Sequence, residues 1–147
     1  MALTVLDAGV VIALGDRADV HHQAAQRAVR SAQAAGISFF LPASAFAEVL
    51  VAPIRKHGAI EGRHRVQRVL DLVSIGVVLL DSDIAVLAAS LRAQHGRRLR
   101  LPDALVVATA AHIQASVLTT DARWPKLAAV AVTIVGKRRS PTPRAAG

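Results

Sequence analysis

The sequence predicts an α/β protein, a three-layer α/β/α sandwich built around a mainly parallel central sheet. Three observations carry this. Short apolar runs of strand length alternate with longer segments whose apolar residues recur at helical spacing. Parallel strands need long crossovers, and those helical segments supply them. The chain is also 53% hydrophobic and only 3% aromatic, so its core is aliphatic, dominated by Ala, Val and Leu. A length of 147 residues suits one domain, placed at 1–136 with a basic tail at 137–147.

Residues 2–6 (ALTVL) read as a short buried strand, and Asp7 stands where a helix begins. Residues 19–35 form an amphipathic helix through Val20, Ala24, Ala28, Val29 and Ala32, closed by Gly36. Residues 38–41 (SFFL) make a second strand, stopped by Pro42. Ser44 is expected to cap the following helix, which carries Phe46, Glu48, Val49 and Leu50 before Pro53 kinks or ends it. Residues 61–73 show Val66, Val69, Leu70 and Val73 on one helical stripe, and 77–80 (VVLL) read as a third strand. Ser82 is expected to cap a helix with Ile84, Leu87, Ala88 and Leu91 in register, ending at Gly96. Pro102 suits the first position of a helix to about residue 115, apolar nearly all round and therefore central. Residues 116–119 and 132–135 complete the strands.

The formal net charge is +8 with His neutral, from eighteen Lys and Arg against ten Asp and Glu. Lys137, Arg138, Arg139 and Arg144 carry four of these charges, which leaves +4 on residues 1–136. Such a balance favours a polyanionic partner over a cationic one and says nothing about fold. Cys is absent, which excludes disulfides and thiolate metal sites and fits a reducing, cytoplasmic setting. The most apolar stretch, 101–118, is interrupted by Pro102 and carries Asp103, His112 and Gln114, so no membrane span is expected. The apolar start lacks a basic region and contains Asp7, which argues against a signal peptide. The tail KRRSPTPRAAG reads as disordered or ordered by a partner.

Four acids stand apart from the rest. Asp7, Glu48, Asp103 and Asp121 each lie where a strand ends or a helix begins. In an open parallel sheet the ligand sits beyond the carboxyl ends of the strands, so all four can reach one edge. Asp is also favoured at helix N-termini for capping alone, a reading open to Asp7, Asp103 and Asp121 singly. Glu48 tips the balance, because it lies between Ala47 and Val49 and a buried carboxylate there needs a cation, a partner or a proton.

Two carboxylates about 5 Å apart repel by roughly 3 kcal/mol at an effective dielectric of about 20. Four gathered together must bind a cation, take up protons or splay apart. A donor set of hard oxygens without Cys or paired His selects Mg²⁺ or Mn²⁺ over Zn²⁺. Asp7 and Asp103 are the expected principal ligands, with Glu48 and Asp121 completing the shell directly or through water. With a polyanionic substrate, the combination points to a nuclease.

The segments VLDAGVVIAL, AFAEVL, LRLPDALVVATA and VLTTDARW, in this order and at these separations, resemble the PIN domains, and within them the VapC toxins of bacterial toxin–antitoxin pairs. The likeness runs from Leu3 to about Val135. It implies a metal-dependent endoribonuclease acting on RNA, with tRNA or rRNA loops as the substrate class and Asp7, Glu48, Asp103 and Asp121 as its acids. It also implies a homodimer and a cognate antitoxin that blocks the site. Gly9 departs from the pattern, since the family commonly has Ser or Thr there to support the metal site. That support is then expected from backbone, water or another side chain such as Thr119.

Arg97, Arg98 and Arg100 stand upstream of Asp103 as candidate phosphate contacts, and Arg123 and Lys126 follow Asp121; a solvated loop explains them equally well. Trp124, before Pro125 and Leu127, is expected to pack rather than stack on a base. His21 and His22 are expected at the surface, and the other histidines lack a ligand spacing. Two alternatives stay open: an RNA-processing nuclease that is not a toxin, and a non-catalytic nucleic-acid or partner-binding module in which the acids are caps.

Overall fold

The computed structural model describes residues 2–136, so the expected tail at 137–147 lies outside the described residues. The strands are β1 Leu3–Leu6, β2 Ser38–Pro42, β3 Ile75–Val78, β4 Ser116–Thr119 and β5 Val132–Ile134. The helices are α1 Ala8–Gly15, α2 His22–Ala34, α3 Ala43–His57, α4 Ala59–Val73, α5 Ser82–His95 and α6 Leu101–His112. The strands form one sheet in the order β3-β2-β1-β4-β5, and every pairing is parallel. The chain winds outward from β1 through β2 to β3, then returns past β1 to β4. Right-handed crossovers put the two sets of helices on opposite faces of such a sheet. The point of reversal lies between β1 and β4, where a doubly wound sheet opens a crevice at its carboxyl edge.

Burial follows the aliphatic composition. Val5, Leu6, Leu41, Val117 and Leu118 are buried in the sheet. Helix α6 buries Ala104, Val106, Val107, Ala108, Thr109 and Ala110. It lies against β1, β2 and β4, with α5 packed on it. Its run of small and β-branched side chains lets it sit close to the strands on one side and to Ile84, Ala88 and Leu91 of α5 on the other. On the sequence-distant side, α1 gathers α2, α3 and α4. Among the described residues no helix is long and apolar enough to cross a membrane.

Several local expectations give way to stronger local chemistry. The edge strand β3 begins at Ile75, which is buried and pairs with Phe39, whereas Leu79 and Leu80 lie beyond the strand and are exposed. Asp81, not Ser82, caps α5, its carboxylate accepting from the Ile84 amide at 2.9 Å. Ser44 does not cap α3. The helix starts at Ala43 directly from Pro42, and the Ser44 hydroxyl is buried with no hydrogen-bond partner among the described residues. Residues 19–21 form a turn held by Asp19 Oδ1 on the His21 amide, so α2 begins only at His22. Pro53 lies within α3, which runs on to His57 and stops where Gly58 takes φ +84°.

Helices α3 and α4 then cross at contact distance. A Cβ on buried Gly62 would stand 2.6 Å from the Ile54 amide nitrogen and 2.7 Å from its Cα, so only glycine permits this approach. Gly62→Val is therefore expected to lower the unfolding free energy by about 2 kcal/mol or more through overpacking. The check is urea denaturation; an unchanged midpoint would mean that the two helices separate freely.

Candidate active site

Parallel pairing of β1 with β4 sets the site. Leu6 pairs with Leu118, and the Asp7 amide continues the ladder by donating to the Leu118 carbonyl at 3.0 Å. Asp7 is thus delivered at the carboxyl edge as the N-cap of α1, where its Oδ1 accepts from the Ala8 amide at 2.8 Å. Its Oδ2 accepts from the hydroxyl of fully buried Thr119 at 2.8 Å. The same Thr119 oxygen accepts from the Asp121 amide at 3.1 Å, so one hydroxyl ties two of the acids together. Asp103 enters from the first turn of α6, after Pro102.

Asp7, Asp103 and Asp121 line one cleft of about 490 Å³ with Ala8, Gly9, Ile12, Glu48, Arg100, Thr120, Ala122 and Arg123. All four sequence-selected acids are there. Asp7 and Asp103 are buried, at 8% and 7% exposure, and Asp121 is half-buried. Glu48 is not the buried carboxylate expected from its apolar neighbours: it is exposed, because α3 turns Ala45 and Val49 inward and leaves residue 48 at the rim. Arg97 and Arg98 are exposed on a 3-10 turn, Gly96–Arg98, and are not among the lining residues; Arg100 and Arg123 are. Trp124 packs against both core clusters, and Lys126 is exposed. His22, half-buried, holds the Ala13 carbonyl through Nδ1 at 2.6 Å, a bracing contact between α1 and α2.

Two of the acids carry a guanidinium. Arg123 grips Asp121 through Nε to Oδ1 at 3.0 Å and Nη2 to Oδ2 at 3.1 Å, and Arg100 Nε reaches Asp103 Oδ2 at 3.2 Å. Both arginine side chains are largely exposed, so water screens the pairs and each contributes little to stability. Four carboxylates against two guanidinium groups leave a formal charge of −2 in the cleft. Among the described residues, no three acidic or imidazole groups are already closed around a common point. Asp103 and Asp121 are turned onto their arginines.

The PIN domain family model matches residues 4–130. The chain belongs to the PIN-domain family. Comparison with curated proteins finds no match. Among solved structures, VapBC2 from Rickettsia felis bound to a promoter DNA fragment superposes at TM-score 0.73, with 9% identity over 90% of this chain and 98% of that one. FitAcB from Neisseria gonorrhoeae gives 0.65, with 21% identity over 88% and 95%. The sarcin–ricin-loop-cleaving toxin VapC20 from Mycobacterium tuberculosis gives 0.60, with 18% identity over 77% and 85%. The fold is therefore the one these toxins share.

In this PIN domain the electrostatics identify which acids lack compensation. Burial pushes the Asp7 carboxyl above the usual range, against its two hydrogen bonds, and the charges of Asp103 and Asp121 add to the rise. Burial raises Asp103 as well, with Arg100 opposing. Desolvation raises Glu48, and Asp7 and Asp103 push it further. Asp121 moves down instead, because Arg123 hydrogen-bonds its charged form. Mutual repulsion thus links all four, and Asp7 is the one held most deeply without a cation. A divalent ion fits that imbalance in charge and in donor chemistry, since every side chain offered is a hard oxygen.

Sequence reasoning did not single out Ile12, Ala122 or Thr120 as lining residues. Only register reveals them, because they flank the acids on α1 and after β4.

The sign of the pH dependence follows. A carboxyl raised in the folded state makes its stabilising contribution below the unfolded value, near 3.8 for Asp, and loses it as pH rises through the raised folded value. Asp121 runs the other way, stabilising above its unfolded value and losing this as pH falls through the lowered one. In a chelator at pH 7, Asp7→Asn is expected to melt about 2–4 °C above the unaltered protein, an effect of order 1 kcal/mol. The gain should vanish below about pH 4. Thermal unfolding across pH checks this; a lower melting temperature at pH 7 would show that the carboxylate's hydrogen bonds outweigh its burial.

Proposed function

We propose that this PIN domain is a Mg²⁺- or Mn²⁺-dependent endoribonuclease that acts as the toxin of a toxin–antitoxin pair. The observation that carries the reading is the meeting of Asp7, Glu48, Asp103 and Asp121 in one cleft with an uncompensated charge of −2. Asp7 and Asp103 are the principal ligands, and Glu48 and Asp121 act directly or through water. Thr119 fixes Asp7 in position. A bound ion supplies Lewis-acid polarisation of the phosphodiester and a more acidic water. Glu48, exposed and raised in pKa, orients the attacking water and takes its proton. The bond to the 3′-oxygen breaks as the new P–O bond forms. Arg100 and Arg123 stand at the mouth as phosphate contacts, and their exposed guanidinium groups would be free to turn from Asp103 and Asp121 to phosphate were those acids to hold an ion. An RNA substrate, of the tRNA or rRNA class, accords with the basic balance of the chain and with the cleavage of the sarcin–ricin loop by VapC20.

The toxin role draws support from neighbours that are toxin–antitoxin assemblies. A second groove of about 390 Å³, lined by Val11, Ile12, Val49, Pro53, Val66 and Val69 among others, meets the acid cleft at Ile12 and Glu48. An antitoxin segment with an apolar face in this groove and an Arg or Lys in the acid cleft would block RNA. Exposed Leu79 and Leu80, which follow the edge strand β3, suit a homodimer contact.

Asp103→Asn is expected to reduce metal-dependent RNA cleavage by about 100-fold or more while retaining the far-UV spectrum, and a chelator should abolish cleavage by the unaltered chain. Undiminished cleavage by the variant would remove the assignment. Expression without antitoxin should arrest growth, and Asp103→Asn should relieve it; normal growth with an active nuclease would favour an RNA-processing role. Ala52→Glu places a charge on an exposed groove position. Antitoxin affinity should fall about tenfold, equivalent to about 1.4 kcal/mol, with RNA cleavage unchanged. Calorimetry with the cognate antitoxin decides, and unaltered affinity would move the antitoxin elsewhere.

A further inference from the structure

Two adjacent threonines leave β4, and the cleft uses them differently. Thr119 is fully buried, and its hydroxyl is committed to the Asp7 carboxylate and the Asp121 amide. Thr120 is half-buried and lines the acid cleft, and among the described residues no group hydrogen-bonds its hydroxyl. A hydroxyl on the wall of a carboxylate-lined cleft, with no partner among the described residues, is available to whatever fills that cleft. Its location is unusual. A Cβ built on Gly9 would overlap the Thr120 hydroxyl oxygen and stand 3.6 Å from Thr120 Cβ and 3.8 Å from Cγ2. Gly9 lies two residues after Asp7, in the first turn of α1, and also lines the cleft. The Thr120 side chain therefore occupies the space that any side chain at position 9 would take. A side chain at position 9 and the Thr120 hydroxyl cannot both hold that space as it stands.

We propose that Thr120 is a positioning residue of the site, its hydroxyl presented to the hydration shell of the divalent cation in the place that Gly9 leaves open. This rests on the metal-dependent reading above and deepens it. The hydroxyl is neutral, so it adds an oxygen partner without adding to the repulsion among the four carboxylates. It also explains why glycine stands at position 9: α1 and the loop after β4 approach too closely there for both side chains. The two positions are consequently coupled, and a polar group can be moved from one to the other.

The test is Mn²⁺ binding to the full chain, by calorimetry or by the electron paramagnetic resonance of free Mn²⁺, beside thermal unfolding in a chelator. Thr120→Val keeps the volume against Gly9 and removes the hydroxyl; it should weaken Mn²⁺ binding about tenfold while leaving the metal-free melting temperature unchanged. Thr120→Ser should restore binding. Gly9→Ser alone should destabilise the metal-free protein through overlap with Thr120. Combined with Thr120→Ala, it should regain both stability and affinity, since the serine then has the vacated space. Asp7→Asn serves as the control and should lose Mn²⁺ binding. If Asp7→Asn loses the ion while Thr120→Val binds it as tightly as the unaltered chain, the role given to Thr120 is overturned. A Thr120→Val protein that melts lower but binds Mn²⁺ normally shows a packing role only and also overturns it. If Asp7→Asn itself binds normally, the metal-site reading falls and takes this inference with it.

Discussion

Carboxylates that approach each other without a full complement of counter-charge set the terms for the whole carboxyl edge of this sheet. Because β1 and β4 are parallel neighbours, Asp7 and the TTD segment at 119–121 emerge side by side, and the Thr119 hydroxyl bridges them. Helix α6 must then bring Asp103 to the same point, since its buried face is fixed against β1, β2 and β4. The core that packs these elements is ordinary aliphatic burial. The folded chain thus spends part of its hydrophobic stabilisation on holding like charges together, a repulsion that two arginines offset only in part.

The arginines do part of that work in a different way. Arg123 lowers the Asp121 carboxyl, and Arg100 opposes the rise at Asp103, yet both guanidinium groups sit in solvent, so each pair is screened by water and held weakly. Asp7 has no such partner. Its two hydrogen bonds do not overcome its burial, so of the two buried acids Asp7 is the one without a compensating positive charge. A cleft with exchangeable positive side chains at its mouth and an uncompensated carboxylate at its floor suits a polyanion that arrives together with a metal ion. The adjoining apolar groove suits a protein that competes for the same mouth.

Much of this was legible from residues alone. The alternation of periods located the strands, and apolar residues all round the Leu101–His112 segment marked it as the central helix. The acids were legible because charged residues are few in a chain this apolar. Errors arose where neighbouring residues compete for one role. Asp81 outcompeted Ser82 for the α5 cap through its bond to the Ile84 amide, and because α3 starts directly from Pro42, Ser44 lies inside the first turn rather than at the N-cap position from which a hydroxyl reaches the free amides. The burial of Glu48 was misjudged because apolar neighbours in sequence point a third of a turn away on a helix.

The sequence by itself determined the fold class, the family and the identities of the four acids, because hydrophobic periodicity and the rarity of carboxylates are local properties that survive without coordinates. Only the tertiary structure decided which arginines face those acids, that Glu48 stands at the rim, and that Thr120 fills the space beside Gly9. Those facts depend on strand register and on the distance between α1 and the loop after β4. A slip of one residue in the pairing of β4 with β1 would turn the side chains of that strand, Thr119 among them, to the other face of the sheet.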